Sequence, residues 1–411
     1  MVVVRPFRGL RPKDSLAQKV ASPPYDVLDS DEAREMAAGN ENSFLHVVKP
    51  EIDLPSETDL YSEPVYQKGK ENLNRLIKDR IMVQDPEAYF YIYRQIMGDH
   101  EQYGLVATVS AADYEAGLIK KHEFTRPDKE ADRVKHIMAQ CAQCGPVFLT
   151  YPDIGHMNKI QEEVCAADPD VDFVSADGIR HTLWVVCDPG RIEDISIAFK
   201  NHPCLYVADG HHRSAAGTIV ANRRREYNPE HTGKEEYNYF LAVIFPKSHM
   251  KIMAYNRAVM DLNNLGKEEF INLLADKFQV KKEGKAEPDS LGKVCMYLDG
   301  DWFTIIPKPG SYPADDPVKS IDASMLQENL LAPILGIDNP RTNDRIKFIG
   351  GIRGTKELEK LVDSGKFKVA FSMYPVSLDQ LFAVADSGNV MPPKCTWFEP
   401  KLRSGLVVHL I

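Results

Sequence analysis

The chain has 411 residues, 43% hydrophobic and 27% charged, the balance of a globular protein long enough for two or three domains. Its 50 Lys and Arg against 60 Asp and Glu leave a formal net charge of −10, a poor bulk match for nucleic acid. No apolar run reaches the length of a membrane span, and the 7 scattered cysteines point away from a disulfide framework and toward a reducing cytoplasm.

In chain order, Val2–Val4 with Pro6 and Phe7 predicts a first strand. The opening MVVVRPFRGLRP is broken too soon by Arg and Pro to serve as a signal peptide. Ala21–Val27 (ASPPYDV) predicts a rigid extended loop, because its prolines fix φ and push the residue before them out of helix. Tyr25 and Asp26 at its tip are candidate substrate contacts; an ordered turn with Asp26 bonded locally accounts for them equally well. A helix is expected from Asp31, a strand over Ser43–Val48 and a helix over Val65–Lys78. Tyr89–Met97 and Tyr103–Ser110 are β-rich runs around Gly98-Asp99, a hairpin signal.

Ile119–Arg126 reads IKKHEFTR. His122-Glu123 does not begin a zinc-binding HExxH helix, since position 126 is arginine. Glu123 stands among Lys120, Lys121, His122 and Arg126, whose charges favour its ionised form, as an anchor or general base requires. A charged helix edge is the plain alternative. Asp128–Met138 predicts a helix with Lys129, Arg133 and His136 on one face, either a solvated surface or a wall facing phosphate. Cys141 and Cys144 have CxxC spacing, but no second pair stands near them and no strand leads into them. Neither a zinc nor a redox site is expected there. Strands follow at Pro146–Thr150 and His181–Cys187, with a helix over Asp153–Asp168 between them.

Pro203–Ala221 (PCLYVADGHHRSAAGTIVA) is the stretch around which the chain is organised. Cys204–Ala208 predicts a buried strand, Asp209-Gly210 a turn, and Arg213–Tyr227 a helix with a cationic C-terminal end. A tight turn feeding a helix leaves bare N–H groups at the helix start, and with the dipole these make an anion site. His211, His212 and Arg213 add side-chain donors there, and Asp209 supplies a charge able to hold a metal ion or orient an imidazole. Phosphate is the natural guest. The plain alternative is a capped helix whose polar first turn faces water.

Asn238–Pro246 predicts a central strand, and Asn256-Arg257 either returns to the site or forms a polar strand edge. The character changes near Asp261, which divides the chain into expected domains 1–260 and 261–411. FIGGIRG in Ile346–Gly354 lacks the order of a P-loop. Met391–Lys401 (MPPKCTWFEPK) predicts a rigid surface that closes over a ligand or seals an interface, and Gly405–Ile411 a closing strand.

The blocks PFRGLRP, SPPYDV, KKHEFTR, ADGHHR and MPPKCTWFEPKLRSGL resemble a large bacterial and archaeal family over nearly the whole chain, with Cys395 where that pattern has serine. Part of that family resembles the ParB/sulfiredoxin-like superfamily. The free serine kinases of that superfamily are similar in two places, His122-Glu123 and Asp209-Gly210-His211-His212-Arg213. The spacing between the two is longer here, implying an insertion, and the C-terminal part has no counterpart in them. The resemblance implies an α/β fold of mixed α+β type, with a ParB/sulfiredoxin-like nucleotide-binding core and an additional C-terminal α+β domain.

It implies a nucleotide-dependent small-molecule kinase using ATP or ADP with Mg²⁺, acting on a hydroxylated metabolite such as free L-serine. Glu123, Asp209, His212 and Arg213 would be catalytic, with Asp209 holding the metal. Gly210, His211, His212, Arg213, Arg133 and His136 would bind nucleotide, and His122, Arg126, Tyr25 and Asp26 substrate. The alternative is a nucleotide-binding regulator or sensor without kinase activity; a metal-dependent hydrolase using His211 and His212 is a distant third. Expected partners are a nucleotide and a small molecule, with neither membrane nor nucleic acid, and a homo-oligomer remains open.

Overall fold

Apolar runs rich in β-branched and aromatic residues build a central sheet, as their pattern predicts. The computed structural model describes residues 1–411. Its strands are β1 (Val4–Arg5), β2 (Phe90–Met97), β3 (His100–Ser110), β4 (Ile119–Lys120), β5 (Val147–Tyr151), β6 (Val171–Val174), β7 (Arg180–Val186), β8 (Leu205–Asp209) and β9 (Tyr239–Pro246). They are ordered β4-β8-β5-β9-β3-β2-β7-β6, with β1 added on β3. The pairs β4–β8 and β5–β9 are parallel. The remaining pairs are antiparallel, including the hairpin β2–β3 around Gly98-Asp99. Ile92, Val109, Leu149, Val207 and Phe240 belong to one buried core, which the helices Gly155–Cys165 and Pro189–Lys200 join through Ile160 and Phe199.

Three further helices matter for the site: α1 (Glu63–Lys78), α2 (Pro127–Gln140) and α3 (His211–Tyr227). Helices α2 and α3 pack through Val134, Ala216 and Val220. The strand expected over Ser43–Val48 is instead a helical turn, Leu45–Val48, followed by a 3₁₀ turn, Pro50–Asp53. Phe44, Leu45, Val47 and Val48 are all buried, with Ser43 and His46 on the remaining side; a run this short does not separate a helical period from a strand's.

The chain divides into two compact units, Met1–Met250 with Pro400–Ile411, and Lys251–Glu399. The sequence-based boundary at 260/261 therefore gives way to one at 250/251, and the closing segment returns to the first unit. It does so through the bridges Leu10–Val408 and Ser22–Ser404 and the pairing of His409–Leu410 with Ala142–Gln143. Only that dipeptide of the expected closing strand is paired as a strand. Gly405 turns with φ +84°, and a Cβ there would lie 2.5 Å from the Phe44 ring, so only glycine fits.

The second unit holds a six-stranded antiparallel sheet. Its strands, in order, are Phe278–Lys282, Asp301–Pro307, Val294–Leu298, Val369–Met373, Tyr255–Val259 and Ile346–Gly350. Phe270, Met296, Phe303, Leu330 and Phe371 belong to its main core. Asn256 and Arg257 are buried in this sheet, Asn256 accepting from Met373 N at 2.9 Å and Arg257 donating to the Tyr255 carbonyl. They are buried strand residues of the second unit, not a polar strand edge.

Candidate functional site

The parallel register of β4 on β8 sets Ile119 opposite Leu205 and Lys120 opposite Tyr206. Both strands therefore leave the sheet at the same edge, carrying His122-Glu123 and Asp209-Gly210 with them. The ring centroids of His122 and His211 are 4.6 Å apart, nearly perpendicular. Glu123 lies in the loop after β4, partly buried. The helix-edge alternative fails because α2 does not begin until Pro127, whose fixed φ suits a first helical position.

Gly210 adopts φ +91°, and a Cβ there would lie 3.1 Å from Arg213 Nε. The glycine thus permits both the left-handed turn and the close folding of Arg213 beneath it. Helix α3 starts at the next residue, with no side-chain cap. The Arg213 side chain is 10% exposed and donates to the Pro146 carbonyl. Its Nη2 stands 3.7 Å from Asp26 and 3.9 Å from Asp209, ion-pair distances too long for hydrogen bonds. His211 Nε2, His212 Nδ1 and Arg213 Nε are buried and have no hydrogen-bond partner. Burial holds His122 down to about 4 and pushes His211 and His212 below the usual imidazole range. These rings are neutral donors and acceptors at pH 7.

Asp209 accepts from Gly210 N at 2.8 Å through Oδ1 and from Lys401 Nζ at 3.0 Å through Oδ2. Burial pushes its carboxyl up, but Lys401 and Arg213 outweigh that and hold it well below the usual carboxylate range. A metal ion does not fit this arrangement. Both carboxylate oxygens are engaged, two cations stand beside them, and no group of three or more His, Cys, Asp or Glu residues is placed to hold an ion. The metal role expected of Asp209 is therefore corrected to that of an anchor for Lys401.

The cationic face expected on α2 is corrected too. Lys129 donates to Tyr61 at 2.8 Å, and the Arg133 guanidinium lies 3.8 Å over the Tyr25 ring while bonded to Asp132 at 2.9 Å. His136 is buried edge-on against Tyr66, and burial keeps it well below the usual imidazole range. Tyrosines cover this face, and His136 is no cation. Arg126 is 69% exposed at the start of α2 and pairs with Asp128. Tyr25 and Asp26, by contrast, come to Arg133 and Arg213. Burial pushes the Tyr25 phenol up to about 12. Beside them opens a cavity of about 50 Å³ lined by Tyr25, Arg133, His136, Gln140, Cys144 and Arg213, among others. Lys401 is the contact that spacing could not show: 192 residues separate it from Asp209. Its only signal was its place in the closing PKLRSGL block.

A family model described as protein of unknown function (DUF1015) matches residues 4–324. The chain belongs to this family. No curated protein matches it. Among solved structures, it is similar to a free serine kinase in complex with AMP, at 12% identity and TM-score 0.35 over 71% of this chain and 86% of that one. A variant of a free serine kinase with ADP is similar at 13% identity and TM-score 0.35, over 71% and 87%. SbnI from Staphylococcus aureus, truncated at its C-terminus, is similar at 12% identity and TM-score 0.39, over 73% and 85%. Residues 122–123 and 209–213 both lie within the matched span and on the first unit. No helix is long and apolar enough to cross a membrane.

Proposed function

We propose that the first turn of α3 binds nucleotide phosphates and that the protein is a small-molecule kinase with a ParB/sulfiredoxin-like core. ATP or ADP is the donor and free L-serine the first acceptor to test. One observation carries this reading: His211 Nε2, His212 Nδ1 and Arg213 Nε are buried without partners on consecutive residues at a helix start. An unsatisfied buried polar group costs about 1–3 kcal/mol; Arg213 Nε is a donor, and each imidazole offers an N–H in the matching tautomer, so an anion's oxygens would relieve that cost. The helix dipole favours the same guest. The motif resemblance at these residues supports the assignment.

Phosphoryl transfer asks a protein for positioning and charge more than for covalent chemistry. Arg213 and the bare amides of the turn hold the phosphates, and His212 adds a neutral contact. Glu123 takes the proton of the acceptor hydroxyl as its oxygen bonds to phosphorus and the bond to the departing nucleotide breaks. Tyr25 and Asp26 face the acceptor. Because the surroundings of Asp209 do not suit an ion, Mg²⁺ receives no ligand from this chain in the proposal.

The test is incubation with ATP or ADP, Mg²⁺ and hydroxylated metabolites, L-serine first, with product read by phosphorus NMR. Glu123→Gln is expected to lower turnover by about 10²–10⁴-fold with nucleotide binding retained. Full turnover in that variant removes Glu123 as the base. A thermal shift with nucleotide but no product on any acceptor favours the regulator. Neither shift nor product rejects both.

A further inference from the structure

Asp209 spends its negative charge on a residue from the far end of the chain. The Lys401 side chain, 18% exposed, places its ammonium 3.0 Å from Asp209 Oδ2, in the turn that Arg213 also serves. A lone carboxylate at an anion site would repel its guest; neutralised by Lys401, it does not. The backbone that delivers Lys401 is firmly tied to the first unit. Gln95 donates to the Lys401 carbonyl at 2.9 Å and is itself bonded to Gln102 at 2.9 Å. Two residues on, Arg403 donates to His181 at 3.1 Å and to Ser175 at 3.0 Å. Ser404 and Ser22 then exchange backbone hydrogen bonds at 2.9 and 3.0 Å. That exchange also anchors the loop bearing Tyr25 and Asp26, so one strap fixes both sides of the turn.

From this geometry we infer that Lys401 is a phosphate-binding residue of the same site and that Asp209 is the positioning residue that aims it. The inference rests on the phosphate reading above and extends it. Charge carries it: at the helix start Lys401 and Arg213 balance Asp209 and Asp26, three neighbouring imidazoles are held neutral by burial, and without Lys401 the turn would face an anion with net negative charge. The ligand class is a nucleoside di- or triphosphate, bound through its phosphates. On this inference residue 401 must supply a positive charge rather than bulk, so arginine replaces it better than methionine does.

The experiment measures dissociation constants of ADP and adenosine by calorimetry for the full chain and for Lys401→Met, Lys401→Arg and the double variant Asp209→Asn/Lys401→Met. Wild type is expected to prefer ADP over adenosine. Lys401→Met should weaken ADP about tenfold or more, the worth of one charge-assisted contact, and leave adenosine unchanged. Lys401→Arg should restore most of the loss. The double variant carries no unpaired carboxylate, so it reports on binding even where Lys401→Met folds poorly and separates the lost contact from the repulsion of a bare Asp209; it should still bind ADP several-fold more weakly than wild type, by less than Lys401→Met does. A wild type that does not distinguish ADP from adenosine defeats the phosphate reading itself. A wild type that does, with variants that bind ADP as tightly, overturns the role of Lys401 alone.

Discussion

The paired imidazoles beneath the turn make stability of the first unit depend on pH in a direction that can be worked out. His122 is 2% and His211 6% exposed, with ring centroids 4.6 Å apart. Burial holds His122 at about 4 against an ordinary 6.5. A histidine that resists protonation only when folded leaves the unfolded chain binding more protons, so stability falls as pH drops through the interval from 6.5 toward 4. The gap corresponds to about 3 kcal/mol when fully expressed, and about 2 kcal/mol of it is expressed at pH 5. Fluorescence can follow this unit alone. The chain has 3 tryptophans, of which Trp184 lies in the first unit and Trp302 and Trp397 in the second. In a Trp302→Phe/Trp397→Phe background, urea unfolding read by Trp184 should lose about 2 kcal/mol between pH 7.5 and pH 5 through His122. Adding His122→Gln should flatten the profile by that amount. Equal pH profiles with and without His122 would refute the picture of a buried neutral ring beside His211.

Two other perturbations test the local geometry. Gly210→Ala places a side chain at φ +91° and its Cβ 3.1 Å from Arg213 Nε; the left-handed strain alone should cost about 1–2 kcal/mol. A lower melting temperature with weaker ADP binding is the expected result, and an unchanged melt counts against the turn as described. In the second unit, Asp322 is 3% exposed, accepts from Gly292 N at 2.9 Å and leaves Oδ2 without a partner. Burial pushes it up to about 6 against an ordinary 3.8, so its ionisation costs stability above pH 6 and nothing below 3.8. Asp322→Asn should therefore stabilise this unit by up to about 3 kcal/mol at pH 8 and lose that advantage near pH 4, in urea titrations followed by Trp302 and Trp397.

The parts of the fold that were legible in the sequence are those whose signals are local. The hairpin at Gly98-Asp99 and the strand–turn–helix around Asp209-Gly210 are set by neighbouring residues, and both form within three residues of expectation. Failures came where a run is too short to show its period or where distance in sequence hides a contact. Ser43–Val48 is a mostly buried run of six residues, too short for its period to distinguish a helical turn from a strand. Lys129, Arg133 and His136 do share a face of α2, but charge pattern cannot reveal that Tyr61, Tyr25 and Tyr66 come from elsewhere to cover it. For the same reason Asp209 looked like a metal ligand: its neutralising partner is Lys401.

That partnership depends on how the second unit joins the chain. Lys251–Met253 pairs antiparallel with Trp397–Glu399, with Lys251 opposite Glu399. The chain thus enters and leaves the second unit on adjacent strands, about 5 Å apart, as an insertion requires. A C-terminal domain appended after residue 260 would leave Asp209 without a cation from the closing segment and Ser22 without Ser404. An insertion ending at Glu399 leaves Pro400–Ile411 to fold with the first unit, as it does. The ADGHHR and PKLRSGL blocks then meet within the first unit through Asp209 and Lys401, while Lys251–Glu399 between them forms a second unit with its own core.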